Sequence, residues 1–203
     1  MNILITGGSG LIGQALIQHL NTERIIVLTR STDKTAKLLP DNIELVTTLD
    51  DVNFNDLDVV VNLAGEAIVD KRWTSNQKDI ICQSRWQITQ SLVDKVQQAI
   101  KPPHSFISGS AIGFYGRQGA LSIDESYQDI HEEFSHHVCQ KWEAIAQQAQ
   151  SEATRVCLIR TGIVLANSGG ALQKMNPFSG GIGTKTTILL LAAALFAITK
   201  LGP

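Results

Sequence analysis

Three glycines spaced three residues apart, Gly7, Gly10 and Gly13, form the part of this sequence that points most directly to chemistry. Gly7 allows a sharp turn, Gly10 lets a pyrophosphate approach the backbone with no Cβ in the way, and Gly13 lets the helix pack closely on the strand. A β-forming run at 3–5 precedes the turn, and a helical pattern begins at Leu11. In this order the first amides of the helix face the phosphates. The stretch therefore predicts a dinucleotide-binding turn.

The residues after the second predicted strand bear on which dinucleotide is bound. In a dinucleotide site an acidic residue about 20 positions after the glycines hydrogen-bonds the ribose 2′-hydroxyl. This sequence has Thr29 and Arg30 at that place. A carboxylate would repel a 2′-phosphate, whereas a guanidinium binds it with paired, charge-assisted hydrogen bonds. We therefore expect NADP(H) to be preferred over NAD(H). Two alternatives stay open: Arg30 is an ordinary surface arginine, or Asp33 supplies the carboxylate if the strand ends later.

The elements that must hold this turn alternate between strand and helix. Strands are expected at 3–5, 24–28, 43–46, 58–63, 105–108 and 156–165, the last broken by Gly162. Helices are expected from 11, over 74–100 and over 132–150. Their apolar stripes are Ile81, Ile88, Leu92, Val96 and Ile100 in the second helix, and Phe134, Val138, Trp142, Ile145 and Ala149 in the third. The pattern predicts an α/β fold with a doubly wound, mostly parallel Rossmann-type sheet and helices on both faces.

Composition limits the kind of protein. The length of 203 residues favours one domain with a sizeable core. Seventeen basic and 19 acidic residues give a net charge of -2, so the sequence lacks the excess of basic residues that is typical of nucleic-acid-binding proteins. Cys82, Cys139 and Cys157 are odd in number and far apart, as is typical of reduced thiols in a cytosolic protein. The N-terminus enters a strand without the features of a signal peptide. We therefore expect a cytoplasmic protein that does not bind nucleic acid.

In combination, the motifs resemble the extended and atypical short-chain dehydrogenase/reductase superfamily. Its fingerprint TGxxGxxG is matched by residues 6–13. The sequence is still more similar to the subgroup called epimerase family protein, which is related to NAD-dependent epimerases and dehydratases. The hallmarks of that subgroup are matched at 62–66, 71–73, 84–85, 108–111 with 115–116, 142–143 and 160–165. The likeness runs from Met1 to about Met175.

The resemblance implies a Rossmann-type, NADP-binding domain over 1–175. It places the adenine half of the cofactor at Thr6, Gly7, Ser9, Gly10, Leu11, Ile12, Gly13, Thr29 and Arg30, and the nicotinamide ribose side at Leu63, Ala64, Gly65 and Ser108. Ordinary members transfer hydride with a Tyr-x-x-x-Lys pair, whose lysine lowers the tyrosine pKa. That pair should fall at Ser135 and Cys139, which cannot play those parts. Whether the chain is an enzyme therefore stays open.

Four further residues are candidates for chemistry, each with a structural alternative. Ser110 could hydrogen-bond a substrate carbonyl, as the superfamily serine does, or cap a loop. Tyr115 could donate a proton, or its ring could pack its loop against the sheet. It too lacks a lysine four residues later, because that position is Gly119. Glu66 and Arg85 are substrate candidates. Arg85 could bind an anion across the cleft or sit in a structural ion pair.

A metal site is not expected. His131, His136, His137 and Cys139 fit no closed four-ligand spacing. Adjacent side chains splay about 100° apart on a helix, so His136 and His137 cannot share one face. We therefore predict no metal.

The likeness ends after Met175. The family continues into a second, smaller lobe that closes over the substrate, whereas 176–203 here contain an unbroken apolar run at 188–198. The run is too short for a bilayer, which needs about 20 residues, and it has no polar face, unlike a surface helix. We therefore expect a truncation or frameshift product, the alternative being a helix docked on the sheet. An exposed apolar run predicts self-association.

Two functional hypotheses follow. The first is an NADP(H)-binding epimerase- or oxidoreductase-like enzyme whose small-molecule substrate, nucleotide-linked or not, the sequence does not name. The second is a non-catalytic NADP-binding module or sensor, or a truncated inactive fragment. The missing Tyr and Lys favour the second.

Overall fold

A parallel six-stranded sheet forms the centre of the chain. The computed structural model describes residues 1–20, 23–68 and 71–166, and the predicted tail at 176–203 lies outside the described residues. The sheet strands are β1 Asn2–Thr6, β2 Arg24–Leu28, β3 Glu44–Val46, β4 Val59–Asn62, β5 Ser105–Ala111 and β6 Arg155–Thr161. Their order is β3-β2-β1-β4-β5-β6, with every neighbouring pair parallel. The predicted α/β, doubly wound Rossmann-type fold is confirmed.

The helices follow the predicted alternation with shorter bounds. They are α1 Leu11–His19, α2 Thr32–Ala36, α3 Ser75–Gln98 and α4 Phe134–Gln147. The Thr74 hydroxyl caps α3 by accepting the N–H of Gln77 at 3.2 Å. Short 3-10 turns occupy Leu49–Asp51, Phe54–Asp56 and Ile112–Tyr115. The sequence did not predict α2, which lies in the polar segment between β2 and β3.

One predicted strand end was wrong. β5 was expected to end at Ser108, but it continues to Ala111 because it stays paired with β6, with Ser110 opposite Arg160. The strand expected at 156–165, broken by Gly162, has the expected break: β6 ends at Thr161, and a separate short strand β7 occupies Leu165–Ala166. The extension of β5 places Ser110 at the carboxyl end of a strand and not in a loop.

Each face of the sheet carries its own apolar core. Alternating strand residues divide between the faces, so that Ile3 and Ile5 point to the side of α1, while Leu4 points to the side of α3 and α4. Most of the predicted helix stripes are buried, but Ile100 is 97% exposed because α3 ends at Gln98. Burial on both faces explains why the central strands are almost continuously apolar.

The strand order places a crevice beside the glycine turn. The chain runs from β1 outward to β2 and β3 on one side, then returns to β4, β5 and β6 on the other. The order therefore reverses between β1 and β4. Ligands of open α/β sheets bind outside the carboxyl ends of the strands at this switch point. The turn after β1 and the loop after β4 meet there.

Candidate functional site

The glycine turn joins β1 to α1 at the carboxyl edge of the sheet. Gly7 has a φ of +71°, a conformation that residues with a side chain rarely adopt. A Cβ on Gly7 would lie 2.6 Å from the carbonyl oxygen of Leu63, so the turn packs tightly on the loop after β4. The N–H of Gly10 donates to the Gly7 carbonyl at 3.0 Å and closes the turn. The predicted sharp turn at Gly7 is confirmed.

The first amides of α1 are available to a ligand. Gly10 is the N-cap and offers no side chain, and within the described ranges the N–H groups of Leu11, Ile12 and Gly13 have no acceptor. A Cβ on Gly10 would contact only the Gly7 carbonyl oxygen, at 3.2 Å, so the space beside it is otherwise open. Free amides at a helix N-terminus, with the helix dipole behind them, suit a phosphate. The residues present therefore fit the diphosphate of a dinucleotide.

Gly13 allows α1 to pack closely against the glycine turn. A Cβ there would overlap the carbonyl oxygen of Gly7 and lie 2.7 Å from the Cα of Gly8. The helix therefore packs closely against the glycine turn, and not on the strand as the sequence suggested. Any side chain at Gly13 would push α1 away from the turn.

Thr29 and Arg30 follow β2, whose last residue is Leu28. The Thr29 hydroxyl oxygen lies 2.6 Å from that of Thr35 and fixes the bend into α2. Arg30 is exposed and forms no ion pair with a carboxylate of the described chain. Asp33 could supply a ribose-binding carboxylate only if β2 ended later in the sequence. β2 ends at Leu28, and Asp33 lies in the first turn of α2. Arg30 thus stands where a ribose-binding residue is expected.

A buried polar network lies beneath the crevice. The Thr6 hydroxyl donates to Oδ1 of Asn62 at 2.8 Å and accepts the Ala64 N–H at 3.2 Å. Asn62 Nδ2 donates to the Thr89 hydroxyl at 2.8 Å and towards that of Ser108 at 3.5 Å. Thr6 and Ser108 are 1% and 0% exposed. The Thr6 side chain supports the loop after β4, whereas the Ser108 hydroxyl bonds, among the described residues, only within β4 and β5. Their direct contact with a cofactor stays a prediction.

The loop after β4 is fastened to α3. The Glu66 N–H donates to the Ser84 hydroxyl at 2.9 Å, and the Glu66 carbonyl accepts from Nη2 of Arg85 at 3.0 Å. Arg85 Nη1 also donates to the Ile81 carbonyl at 3.0 Å. Lys71 Nζ lies 2.9 Å from the Glu66 carboxylate, and this pair lowers the pKa of the Glu66 carboxyl. The neighbouring Ser84 and Arg85 therefore fix the backbone beside the crevice.

Arg85 itself has no anionic partner in the described chain. Its donors reach carbonyls and a hydroxyl only, and no carboxylate pairs with it within those ranges. Burial lowers the pKa of the Arg85 guanidinium, because the charged form loses hydration. The structural ion pair considered for Arg85 is therefore not found there.

Ser110 and Tyr115 belong to one hydrogen-bonded network at the ends of β5 and β6. The Ser110 hydroxyl donates to Oε1 of Glu143 at 2.5 Å. Arg160 donates from Nε and Nη2 to the two Glu143 oxygens at 2.9 and 2.8 Å, and from Nη1 to the Tyr115 hydroxyl at 2.8 Å. Hydrogen bonding to Glu143 raises the pKa of the Arg160 guanidinium further above its usual value. The two catalytic candidates are thus brought together, but both are held by other side chains.

The positions of the absent Tyr-x-x-x-Lys pair face the turn after β5. A Cβ on Gly113 would lie 3.0 Å from Cβ of Ser135 and 3.7 Å from Sγ of Cys139. Burial raises the pKa of the Cys139 thiol, which keeps it protonated near neutral pH. Neither residue supplies a phenol or an ammonium group at this place.

The histidines considered as metal ligands have other surroundings. His136 is 2% exposed, and its Nδ1 lies 2.5 Å from the carbonyl oxygen of Phe114. In the portions of the chain that the structure describes, no three His, Cys, Asp or Glu side chains are grouped to hold a metal ion.

Comparison with known proteins assigns the family. The family model of the NAD dependent epimerase/dehydratase family matches residues 3–178. The chain belongs to this family. It is 40% identical over 188 residues to an epimerase family protein of Staphylococcus haemolyticus, and 35% identical over 195 residues to one of Staphylococcus aureus. These matches cover 90% of this chain and 62% of each relative, so the chain spans less than two thirds of their length.

Solved structures of this epimerase family share the fold. The human epimerase family protein SDR39U1, determined with NADPH, has a TM-score of 0.75 and 28% identity, over 86% of this chain and 58% of that one. A nucleoside-diphosphate sugar epimerase of Corynebacterium glutamicum has a TM-score of 0.69 and 31% identity, over 91% and 39%. The predicted resemblance is confirmed. No helix in the described ranges has the length and hydrophobicity to cross a membrane.

Sequence reasoning located the residues around the switch point but missed their supports. The predicted cofactor residues after β1, β2 and β4 lie at the carboxyl ends of three adjacent strands. In the sequence, Asn62, Glu143 and Arg160 stand out only as parts of the family motifs. Each is a polar residue within or beside an apolar run, and such a position is the one signal that could have marked it as a network centre.

Proposed function

We propose that this epimerase family chain binds NADP(H) in the crevice between β1 and β4 and acts as an epimerase or oxidoreductase. Its substrate would be a small molecule, nucleotide-linked or not. The free amides of α1 and the open space beside Gly10 support a bound diphosphate. The human relative with NADPH and the sugar-nucleotide epimerase of Corynebacterium glutamicum agree with this chemistry.

The observation that carries the choice of NADP(H) is the position of Arg30. It follows β2 after a single intervening residue, it is exposed, and no carboxylate of the described chain lies within ion-pair distance of it. Its charge does act on Glu66, whose pKa it helps to lower after the larger effects of Lys71 and Gln77. A free guanidinium at this place can bind a 2′-phosphate through two charge-assisted hydrogen bonds. No acidic residue stands there to select a ribose 2′-hydroxyl instead.

The test compares two arginines that flank the same strand. Arg30→Ala should weaken NADPH binding about 10- to 150-fold, which corresponds to about 1.5–3 kcal/mol for hydrogen bonds to a charged group, and leave NADH binding unchanged. Arg24→Ala is the matched control, since Arg24 opens β2 at the other edge and pairs with Glu44 at 2.8 Å. Fluorescence titration with both cofactors gives the affinities. Equal affinities of the parent protein for NADPH and NADH would reject the assignment.

The candidate chemistry centres on Ser110 and Tyr115. When bound, the cofactor would supply or accept hydride at its nicotinamide ring. Ser110 would donate its hydroxyl to a substrate carbonyl after releasing Glu143, its present acceptor. Tyr115 accepts from Arg160, and its own proton has no acceptor in the described ranges, so that proton is free to be donated. These roles require the substrate to displace part of the network.

The competing function is a non-catalytic NADP-binding module or sensor. Its support is that Ser135 and Cys139 occupy the positions of the absent Tyr and Lys, and that the Ser110 hydroxyl is already bound by Glu143. The two functions differ in whether bound NADPH is consumed. Loss of NADPH absorbance with any member of a panel of carbonyl compounds and sugar nucleotides would establish the enzyme. Stoichiometric binding without turnover over the whole panel would favour the module.

Further parts of the proposal concern the whole chain. We place the NADP-binding domain at 1–175 and assign the apolar segment within 176–203 to self-association. The separated, odd-numbered cysteines support a reducing, cytoplasmic location. The chain spans 62% of the length of its curated relatives, so the activity of the whole protein is part of this proposal.

A further inference from the structure

We propose that Arg85 is the oxyanion-binding group of a substrate subsite beside the Gly65–Glu66 loop. The ligand chemistry is a carboxylate or a phosphate of the substrate. This inference deepens the proposed function and rests on it, because it names the class of substrate that the same crevice would take.

The guanidinium of Arg85 has donors that the described chain leaves without acceptors. Nη1 donates to the Ile81 carbonyl and Nη2 to the Glu66 carbonyl, each at 3.0 Å, and the Ser84 hydroxyl lies 3.4 Å from Nη1. Nε has no acceptor in the described chain, and Nη2 has a second N–H beyond the one bound to Glu66. Nε and Nη2 form the planar fork that binds a carboxylate or phosphate with two parallel hydrogen bonds.

The surroundings hold this fork in place. A Cβ on Gly65 would lie 2.9 Å from Cζ of Arg85, so the guanidinium packs directly on the backbone of the loop. On the other side Cζ lies 5.4 Å from the centre of the Trp142 ring, a cation–π distance. The group is therefore packed between loop and indole at the carboxyl end of β4, next to the switch point.

A partly buried cation without a counterion is costly to keep. Removing a charge from water is unfavourable unless an opposite charge or hydrogen bonds compensate. Carbonyls accept from Nη1 and Nη2 of Arg85, whereas Nε has no acceptor in the described chain, and the Glu66 carboxylate acts on the guanidinium only at a distance. Glu66, the carboxylate that the structure describes on this loop, is already paired with Lys71 at 2.9 Å. An incoming anion would supply the missing charge and meet little repulsion from the neutralised Glu66.

One buried donor beside Arg85 provides an independent observation. In the part of the chain that the structure describes, Nε1 of Trp142 is buried and has no hydrogen-bond partner. The centre of the Trp142 ring lies 5.4 Å from Cζ of Arg85. Nε2 of Gln77 is also buried, but the Gln77 amide faces the Glu66 carboxylate and helps to lower its pKa after the larger effect of Lys71, so it already has an acceptor within this loop. Buried donors usually have acceptors, and a ligand beside Arg85 would bring one into reach of Trp142.

The experiment measures binding of small oxyanions by isothermal titration calorimetry. Malonate and inorganic phosphate are the probes, titrated into the full chain with and without saturating NADP⁺. NADP⁺ covers the amides of α1, so binding in its presence reports a separate subsite. Arg85→Gln should weaken the anion at least about tenfold, as expected for loss of hydrogen bonds from a charged donor. Arg155→Gln is the matched control, since Arg155 is exposed at the start of β6.

Two further variants guard against a folding defect. Arg85→Lys keeps the charge but loses the fork and should bind weakly. Gly65→Ala keeps the arginine but places a methyl group 2.9 Å from Cζ and should displace the fork. Circular dichroism establishes whether each variant is folded. NADP⁺ affinity is a second check for the Arg85 variants only, because Gly65 is itself a predicted cofactor residue. If Arg85→Gln unfolds, weakened binding in Gly65→Ala supports the subsite, and unchanged binding overturns it.

The outcomes separate this inference from the proposed function. Binding of either probe to the parent protein, lost in Arg85→Gln and retained in Arg155→Gln, supports the subsite, and the probe that binds identifies its preference. Normal NADP⁺ binding with no anion binding leaves the cofactor proposal standing and reduces Arg85 to a loop clamp. If the anion binds through Arg85 but NADP⁺ does not bind, the subsite stands and the cofactor proposal is rejected. Anion binding that Arg85→Gln does not change overturns the subsite.

Discussion

Glu143→Gln should destabilise the protein strongly, because Glu143 is the centre of the network that joins α4 to β5 and β6. Its carboxylate accepts hydrogen bonds from Ser110 and twice from Arg160, at 2.5, 2.9 and 2.8 Å. Glutamine keeps the shape but removes the charge. It also turns one acceptor into a donor that faces either a hydroxyl or a guanidinium. Arg160 would then keep its charge with no carboxylate partner among the described residues.

The expected loss follows from burial. The Glu143 side chain is 6% exposed and that of Arg160 21% exposed. Removing one partner of a buried ion pair costs about 3–5 kcal/mol. Because Arg160 keeps some solvent, we expect the lower end, about 3 kcal/mol. Urea unfolding followed by tryptophan fluorescence and circular dichroism gives the free energy of unfolding.

The matched control is an exposed pair of the same kind. Arg24 and Glu44 also meet at 2.8 Å, but their side chains are 53% and 44% exposed. Glu44→Gln should therefore cost less than about 1 kcal/mol, as surface pairs do. Similar losses for the two variants, or a loss below 1 kcal/mol for Glu143→Gln, would refute the reasoning from burial.

Three other outcomes are expected. Gly10→Val should abolish NADPH titration with the circular dichroism spectrum unchanged, whereas Gly13→Val, whose Cβ overlaps the glycine turn, should lose the fold; the reverse pattern would contradict the assigned roles. At pH 8 native Cys139, whose pKa is raised by burial, should react with iodoacetamide more slowly than the half-buried Cys157, and equal rates by peptide mapping would count against this. Deleting 186–203 should reduce light scattering and keep NADPH binding; a monodisperse full-length monomer that unfolds on deletion would show the segment to be part of the fold.

The cofactor turn could be predicted from the sequence because its determinants are local. Gly7 needs a positive φ that follows from its place between a strand and a helix, and Gly10 needs open space that the same turn creates. The strands were equally visible, since burial on both faces demands an unbroken apolar run. Arg30 was placed by counting from these elements.

The polar networks could not be predicted because their partners are distant in sequence. Glu143 comes from α4 and Arg160 from β6, and their contact exists only after both pack on β5. The same holds for the end of β5, which the neighbouring strand extends to Ala111. Sequence spacing indicates that such residues are polar, but not which of them meet.

Ile100 shows where periodicity fails. The apolar spacing continues past the end of α3, but Ala99 is extended, with ψ of 135°, and the helix has stopped at Gln98. The helix ends shortly before Pro102 and Pro103, which cannot continue it and which restrict the residue before them. The apolar spacing therefore continues beyond the last residue of the helix, and Ile100 is 97% exposed.

The central claim is that NADP(H) occupies the crevice between β1 and β4 with its 2′-phosphate on Arg30. The most direct measurement is a crystal structure of the full chain with NADPH. We predict the diphosphate within hydrogen-bonding distance of the N–H groups of Leu11, Ile12 and Gly13, and the 2′-phosphate bound by the Arg30 guanidinium. A cofactor bound elsewhere, or a 2′-phosphate that points away from Arg30 into solvent, would contradict the account.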